Sequence, residues 1–222
     1  MRKISGYSFS LIILFLCSTV VFSQTERTVG LRLGFDVSRL SLYYFQPERK
    51  NIEVSSDMEL FKRLYPTIEL GWNDIKLKND SLYDYYSNGY YARIGFDHNF
   101  LKPENNNDKE MFIGGIRYGY SFFNDYAENI IIKDNYWGDF NGNLSKRSLN
   151  AQWLEFVAGF KVEVFKNLFL GWTLRGRILI TKSKEKTDPY WIPGFGKGSA
   201  KTSVGFNYSI FYSIPLYKTK HK

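Results

Sequence analysis

The sequence predicts an all-β protein, an eight-stranded antiparallel up-and-down transmembrane β-barrel with a filled polar lumen. Three observations carry this. Apolar and polar residues alternate with period two through run after run. Short and long connections alternate between those runs. Charged residues keep to one parity, while the other is nearly charge-free over about 9–11 residues, enough to cross a bilayer when tilted.

The 222-residue chain opens MRKISGYSFSLIILFLCSTVVFSQT. Arg2 and Lys3 precede an apolar stretch centred on Leu11 to Leu16, and Val21 and Ser23 supply small residues before Gln24. This is the pattern of a secretory signal peptide over 1–23, leaving 24–222 as a single outer-membrane β-barrel domain. Cys17 follows bulky Leu16, where lipoprotein processing requires a small residue, and reads as part of the targeting segment. Of 30 basic and 22 acidic residues, loss of Arg2 and Lys3 leaves 28 against 22, a mature charge of +6. The mature chain has no cysteine, so disulfides cannot stabilise it after export. Aromatic content is 18% while mean hydropathy is −0.33. No mature segment approaches the ~18 consecutive apolar residues of a spanning helix, so membrane residence requires strands.

The first strand, expected over 28–38, sets Val29, Leu31, Leu33, Phe35 and Val37 opposite Gly30, Arg32, Gly34 and Asp36. Strands at 51–60 and 64–77 flank the turn Phe61-Lys62-Arg63, with Val54, Met58, Leu60, Ile68, Leu70 and Trp72 against Glu53, Asp57, Glu59, Thr67 and Glu69. Strands at 88–98 and 111–124 place Ala92, Ile94, Phe96, Ile116, Tyr118 and Tyr120 against Arg93, Asp97, Arg117 and Gly119. A second tight hairpin joins 149–164 to 168–182 through Phe165-Lys166-Asn167. There Leu154, Phe156, Phe160, Leu170, Trp172 and Leu174 oppose Glu155, Lys161, Glu163, Arg175 and Arg177. The last strand, 201–216, sets Val204, Phe206, Tyr208, Ile210 and Tyr212 against Gly205, Asn207 and Ser209. ELFKRL and EVFKNL are either a weak internal repeat or two similar turns. Connections 39–50, 78–87, 125–148 and 183–200 are long and polar; 99–110 is a long loop on the short-turn side.

Parity alone does not tell a soluble barrel from a membrane one. The charged parity decides it: six cations (Arg32, Arg93, Arg117, Lys161, Arg175, Arg177) balance eight carboxylates (Asp36, Glu53, Asp57, Glu59, Glu69, Asp97, Glu155, Glu163) among Gly, Ser and Thr, a set suited to a narrow lumen. Lipid offers no partner for unpaired backbone groups, so the sheet must close. Trp72, Tyr118, Tyr120, Trp172, Tyr208 and Tyr212 on the apolar parity suit interfacial girdles.

With these strands, the turns ELFKRLYPTIELGW and EVFKNLFLGW and the tract YWIPGFGKG, the chain resembles an uncharacterised family of Bacteroidota outer-membrane β-barrels, described only as a domain of unknown function. The resemblance covers Gln24 to Lys222 and implies outer-membrane location and no activity to carry over.

No catalytic, cofactor-binding or metal site is expected. GFGKGS lacks the phosphate-loop spacing, since Trp191 stands where the first glycine belongs and Gly198 follows Lys197; WIPGFGKG reads as a rim turn, with Trp191 as an interfacial anchor. His98 and His221 share no ligand spacing, and Ser183 and Ser199 have no positioned base. The expected function is a small non-enzymatic outer-membrane protein with a structural or interaction role through its extracellular loops. The alternative is a soluble or peripheral barrel binding an apolar ligand. The expected partner is outer-membrane lipid; Lys182, Lys184, Lys186, Lys197 and Lys201 either attract lipopolysaccharide phosphates or simply keep a solvated loop soluble, nucleic acid is excluded by export, no protein partner is legible, and a monomer is expected.

Overall fold

The computed structural model describes residues 26–79, 83–102, 109–132 and 140–220. Its strands are β1 (Glu26–Asp36), β2 (Arg49–Met58), β3 (Leu64–Asn79), β4 (Tyr83–Asn99), β5 (Met111–Ile132), β6 (Phe140–Phe165), β7 (Leu168–Lys182) and β10 (Thr202–Lys220), with one helix, α1 (Val37–Phe45). These eight strands close into a barrel in the order β1-β10-β7-β6-β5-β4-β3-β2, each pairing antiparallel with its chain neighbours. Two short pieces, β8 (Trp191–Ile192) and β9 (Gly196–Lys197), pair only with each other. The expected signal peptide, Cys17 and His221 lie outside the described residues.

All eight expected strands are present, and the largest departures from the sequence reading are at the end of β1 and in the two hairpins β3–β4 and β5–β6. β1 stops at Asp36 rather than 38, because the Asp36 carboxylate accepts the Ser38 N–H at 3.0 Å and caps α1. The expected loop 39–50 is therefore largely helical. The expected loops 78–87 and 125–148 belong mostly to strands: β4 already pairs with β5 at Asp84 and Glu128, and β5 with β6 as far as Ile132 and Phe140. Their Asn, Asp and Ser content marks strand surface standing clear of the apolar band. Pro215, with no N–H to donate, sits where the β1–β10 ladder shifts register beside Gly30.

The parity holds along every strand. Val54, Ile68, Leu70, Ile94, Phe96, Ile116, Phe156, Phe160, Leu174 and Phe206 are exposed, whereas Arg32, Asp57, Glu69, Arg93, Asp97, Arg117, Glu155 and Arg175 are buried. The outward residues of β5 from Phe112 to Phe122 are all uncharged and, ten residue steps apart, span roughly 25 Å along the axis at ~3.3 Å per residue and ~40° tilt, the height of a membrane-barrel band.

The two tight turns are one structure used twice. Arg63 and Asn167 both adopt left-handed backbone, with φ of 64° and 66°. In each, a carboxylate four residues back accepts the turn N–H: Glu59 from Arg63 at 2.9 Å, Glu163 from Asn167 at 2.6 Å. Glu59 and Glu163 thus cap the rim instead of filling the lumen, which corrects the sequence reading. Burial raises the Glu163 carboxyl, but hydrogen bonds from Lys109 and the Asn167 N–H outweigh it and hold the group below its usual 4.5. Asn tolerates the left-handed region and Arg does not, so Arg63→Asn is expected to raise the urea midpoint of the folded barrel by the equivalent of up to about 1 kcal/mol, and Asn167→Ala to lower it by a similar amount.

Candidate functional site

The lumen is built by register. Glu69 on β3 stands opposite Arg93 on β4, while Arg117 on β5 faces Glu155 on β6, which in turn faces Arg177 on β7. At the level of Arg93 a small residue alternates with large ones: Gly119 separates Arg93 from Trp153, and a Cβ there would run into the Trp153 ring. This alternation lets guanidinium and carboxylate groups from opposite walls meet at the barrel axis.

Glu69 is the hub. Its carboxylate accepts from Arg93 Nη1 at 2.8 Å, from Arg175 at 2.6 and 3.0 Å, and from Arg117 Nη1. Glu53 pairs with Arg93 at 3.0 Å and accepts the Tyr91 hydroxyl at 2.6 Å. Glu155 accepts from Arg177 Nε at 2.9 Å and Arg175 Nη1 at 3.2 Å. Toward the short turns, Asp97 accepts from Arg117 Nη2 at 2.8 Å and Asp57 from Lys161 Nζ at 2.6 Å. In this layer six buried cations, Arg32, Arg93, Arg117, Lys161, Arg175 and Arg177, meet six buried carboxylates, Asp36, Glu53, Asp57, Glu69, Asp97 and Glu155; a seventh buried carboxylate, Asp125, pairs with Arg147. A cavity of about 10 Å³ remains between them, about the space of one water molecule.

Two apolar lids enclose this ionic layer. At the short-turn end, Tyr65, Met111 and Ile113 pack together, and the Arg32 guanidinium lies 4.6 Å from the Tyr65 ring centroid and 5.9 Å from that of Phe169. At the other end the tract WIPGFGK turns inward rather than forming the expected rim turn. Ile192 and Phe195 are buried against Tyr91, Phe123, Leu149, Ala151 and Trp153. Two lumen arginines hold the tract by its backbone: Arg93 Nη2 donates to the Gly194 carbonyl at 3.0 Å, and Arg177 Nη1 to that of Phe195 at 3.2 Å. Gly194 makes the turn possible with φ of 77°. Trp191 is not an interfacial anchor. Its backbone N–H approaches the Tyr85 hydroxyl at 3.4 Å, and the Arg49 guanidinium lies 4.6 Å from its ring centroid. Above it Arg147 binds Asp125 through Nε and Nη2 at 2.7 and 3.0 Å and donates to the Thr187 carbonyl at 2.8 Å. Hydrogen bonding to Asp125 raises the Arg147 pKa further above its ordinary value.

All six cations and six of the eight carboxylates assigned to the lumen from sequence are buried there, Glu59 and Glu163 being the exceptions. Sequence reading missed Arg39, which enters from α1 to reach Asp36 at 3.1 Å and Glu53 at 3.6 Å, and it missed both lids. The available signal was an aromatic on the charged parity near strand ends: Tyr65, Tyr91, Trp153, Phe169 and Phe211. Among the described residues no group of three or more His, Cys, Asp or Glu is arranged to hold a metal. His98 stacks edge-on against Phe100, 5.1 Å between centroids, outside the lumen.

A family model described as a domain of unknown function (DUF6048) matches residues 4–219. The crystal structure of a major outer membrane protein from Thermus thermophilus is similar to this chain at 9% identity, covering 84% of this chain and 99% of that one, with a TM-score of 0.48. No curated protein matches the sequence.

Proposed function

This chain belongs to the DUF6048 family, whose description assigns no activity, and we propose that it is a non-enzymatic outer-membrane protein, a sealed barrel with a structural or interaction role through its outward segments. One observation carries the reading: the barrel is inside out relative to a soluble one. Large apolar side chains cover its outer wall, among them Ile94 at 59% exposed, Phe160 at 53% and Leu174 at 56%, while Arg93, Asp97 and Glu155 are at most 1% exposed. A contiguous apolar girdle of this extent is far larger than the few-hundred-Å² patches that water-soluble monomers carry, and hydrocarbon is the medium that suits it.

On this reading the signal peptide directs export and is cleaved, the barrel sits in outer-membrane lipid as a monomer because no strand edge is free within the band, and Lys186 and Lys201 face lipopolysaccharide phosphates. The lumen carboxylates are engaged by cations and shut off from solvent, which leaves none poised for acid–base work. The same packing leaves the apolar-ligand reading without a compartment. Fractionation tests the assignment. The protein is expected in the detergent-extractable outer membrane with heat-modifiable gel mobility; release with the periplasmic contents would contradict it. Planar bilayers are expected to stay silent, since both lids and the ionic layer block the axis.

A further inference from the structure

α1 leaves the barrel at Asp36 and runs along its long-loop rim from Val37 to Phe45. Its orientation is fixed from within. Asp36 caps its first turn, and Arg39 reaches inward to Asp36 and Glu53. At about 100° per residue, Tyr44 and Phe45 lie roughly 140° and 120° around the helix from Arg39, one to each side of the opposite face. Both are open, Tyr44 at 84% and Phe45 at 77% exposed, and their rings meet edge to face at 5.6 Å. Tyr43 beside them is half exposed, with the Lys50 ammonium 5.9 Å from its ring centroid.

Depth follows from the register. Ile52, the uppermost exposed apolar residue of β2, faces Trp72 on β3. Arg49, where β2 begins, stands three residues above it, about 8 Å along the axis at ~40° tilt. Phe35, the last outward residue of β1, faces Val54, so α1 starts near the top of the apolar band, and the Gln46 carbonyl, one residue past its end, accepts the Arg49 N–H at 2.9 Å, which sets that end level with Arg49. That interval matches the interfacial layer, about 5–8 Å per leaflet.

We propose that the aromatic end of α1, Tyr44 and Phe45, docks into the interfacial layer of the outer leaflet and makes α1 an interfacial anchor of the barrel, an inference that rests on the membrane reading above. Aromatic rings are favoured at this depth because one side meets hydrocarbon and the other meets water. The apolar band ending at Ile52 and Phe35 runs directly into this surface, while Arg39 ties the helix's other face to the lumen.

The test places a nitroxide at Tyr44→Cys, and separately at Phe45→Cys, in the full chain carrying Cys17→Ser, folded into phosphatidylcholine–phosphatidylglycerol vesicles. Ile94→Cys and Lys184→Cys serve as references for lipid and water, and the gel shift on heating verifies folding. Power saturation with oxygen and with a nickel chelate gives the accessibility ratio. The expected ratio at Tyr44 and Phe45 is several-fold above that of Lys184 and below that of Ile94. A ratio equal to that of Lys184, with Ile94 still oxygen-dominated, would overturn the anchor alone. Nickel-dominated Ile94 would overturn the membrane reading with it.

Discussion

Replacing Glu69 with alanine is expected to cost about 3–5 kcal/mol and to leave most of the protein unable to refold into the barrel. The magnitude comes from what remains. Glu69 is 3% exposed and pairs with Arg93, Arg117 and Arg175; its loss leaves Arg117 with Asp97 alone and Arg93 and Arg175 sharing Glu53 and Glu155, one uncompensated positive charge in a cavity that water barely enters, and removing one partner of a buried ion pair carries this penalty even where the intact pair contributes little. Glu69→Gln keeps the shape and two acceptor lone pairs but removes the charge, and is expected to fall between wild type and alanine. Urea titration of the vesicle-folded barrel, followed by the gel shift on heating, reads both. A Glu69→Ala variant with the wild-type midpoint would show that the lumen is wet and its charges screened.

Gly194→Ala is expected to expel the inward tract and destabilise the outer half of the barrel by several kcal/mol. Two costs add. A side chain at φ of 77° carries about 1–2 kcal/mol of backbone strain, and the new Cβ would lie 2.6 Å from Tyr91 Cγ and 3.1 Å from the Trp153 ring, an overpacking worth about 1–3 kcal/mol. The segment would then give up its bonds to Arg93 and Arg177 and present Lys197 to trypsin. The expected readout is cleavage after Lys197 at a rate at least tenfold above wild type, with the transmembrane strands still protected. Unchanged protection would mean that the tract has another way to close the mouth.

The division between these two parts reflects what a sequence can display. The ionic layer was legible because period two puts Glu155, Arg175 and Arg177 on one face whatever their partners, and two tight turns fix the register of four strands. The inward tract was not legible. Pro193 and the glycines of WIPGFGKG describe a turn equally well whether it points to solvent or into the lumen, and only the aromatic walls at Tyr91 and Trp153, contributed by strands about 40 to 100 residues away in the sequence, give it somewhere to go. α1 was hidden for a different reason. Residues 37–45 read as a strand end followed by a loop, and the Asp36 cap that converts them to helix competes with the β1 ladder for the same chain. The long β5–β6 hairpin was masked by polar composition that ordinarily signals a loop.

The account depends on which parity meets hydrocarbon, and two native tryptophans on adjacent strands report it. Trp172 lies on the apolar parity and is 43% exposed; Trp153 lies on the charged parity and is fully buried. Single-tryptophan variants folded into vesicles of acyl-chain-brominated lipid are expected to show strong quenching of Trp172 and little of Trp153, with neither reached by aqueous iodide. Quenching of Trp172 by iodide and not by the brominated chains would contradict the account, because the apolar wall would then face water.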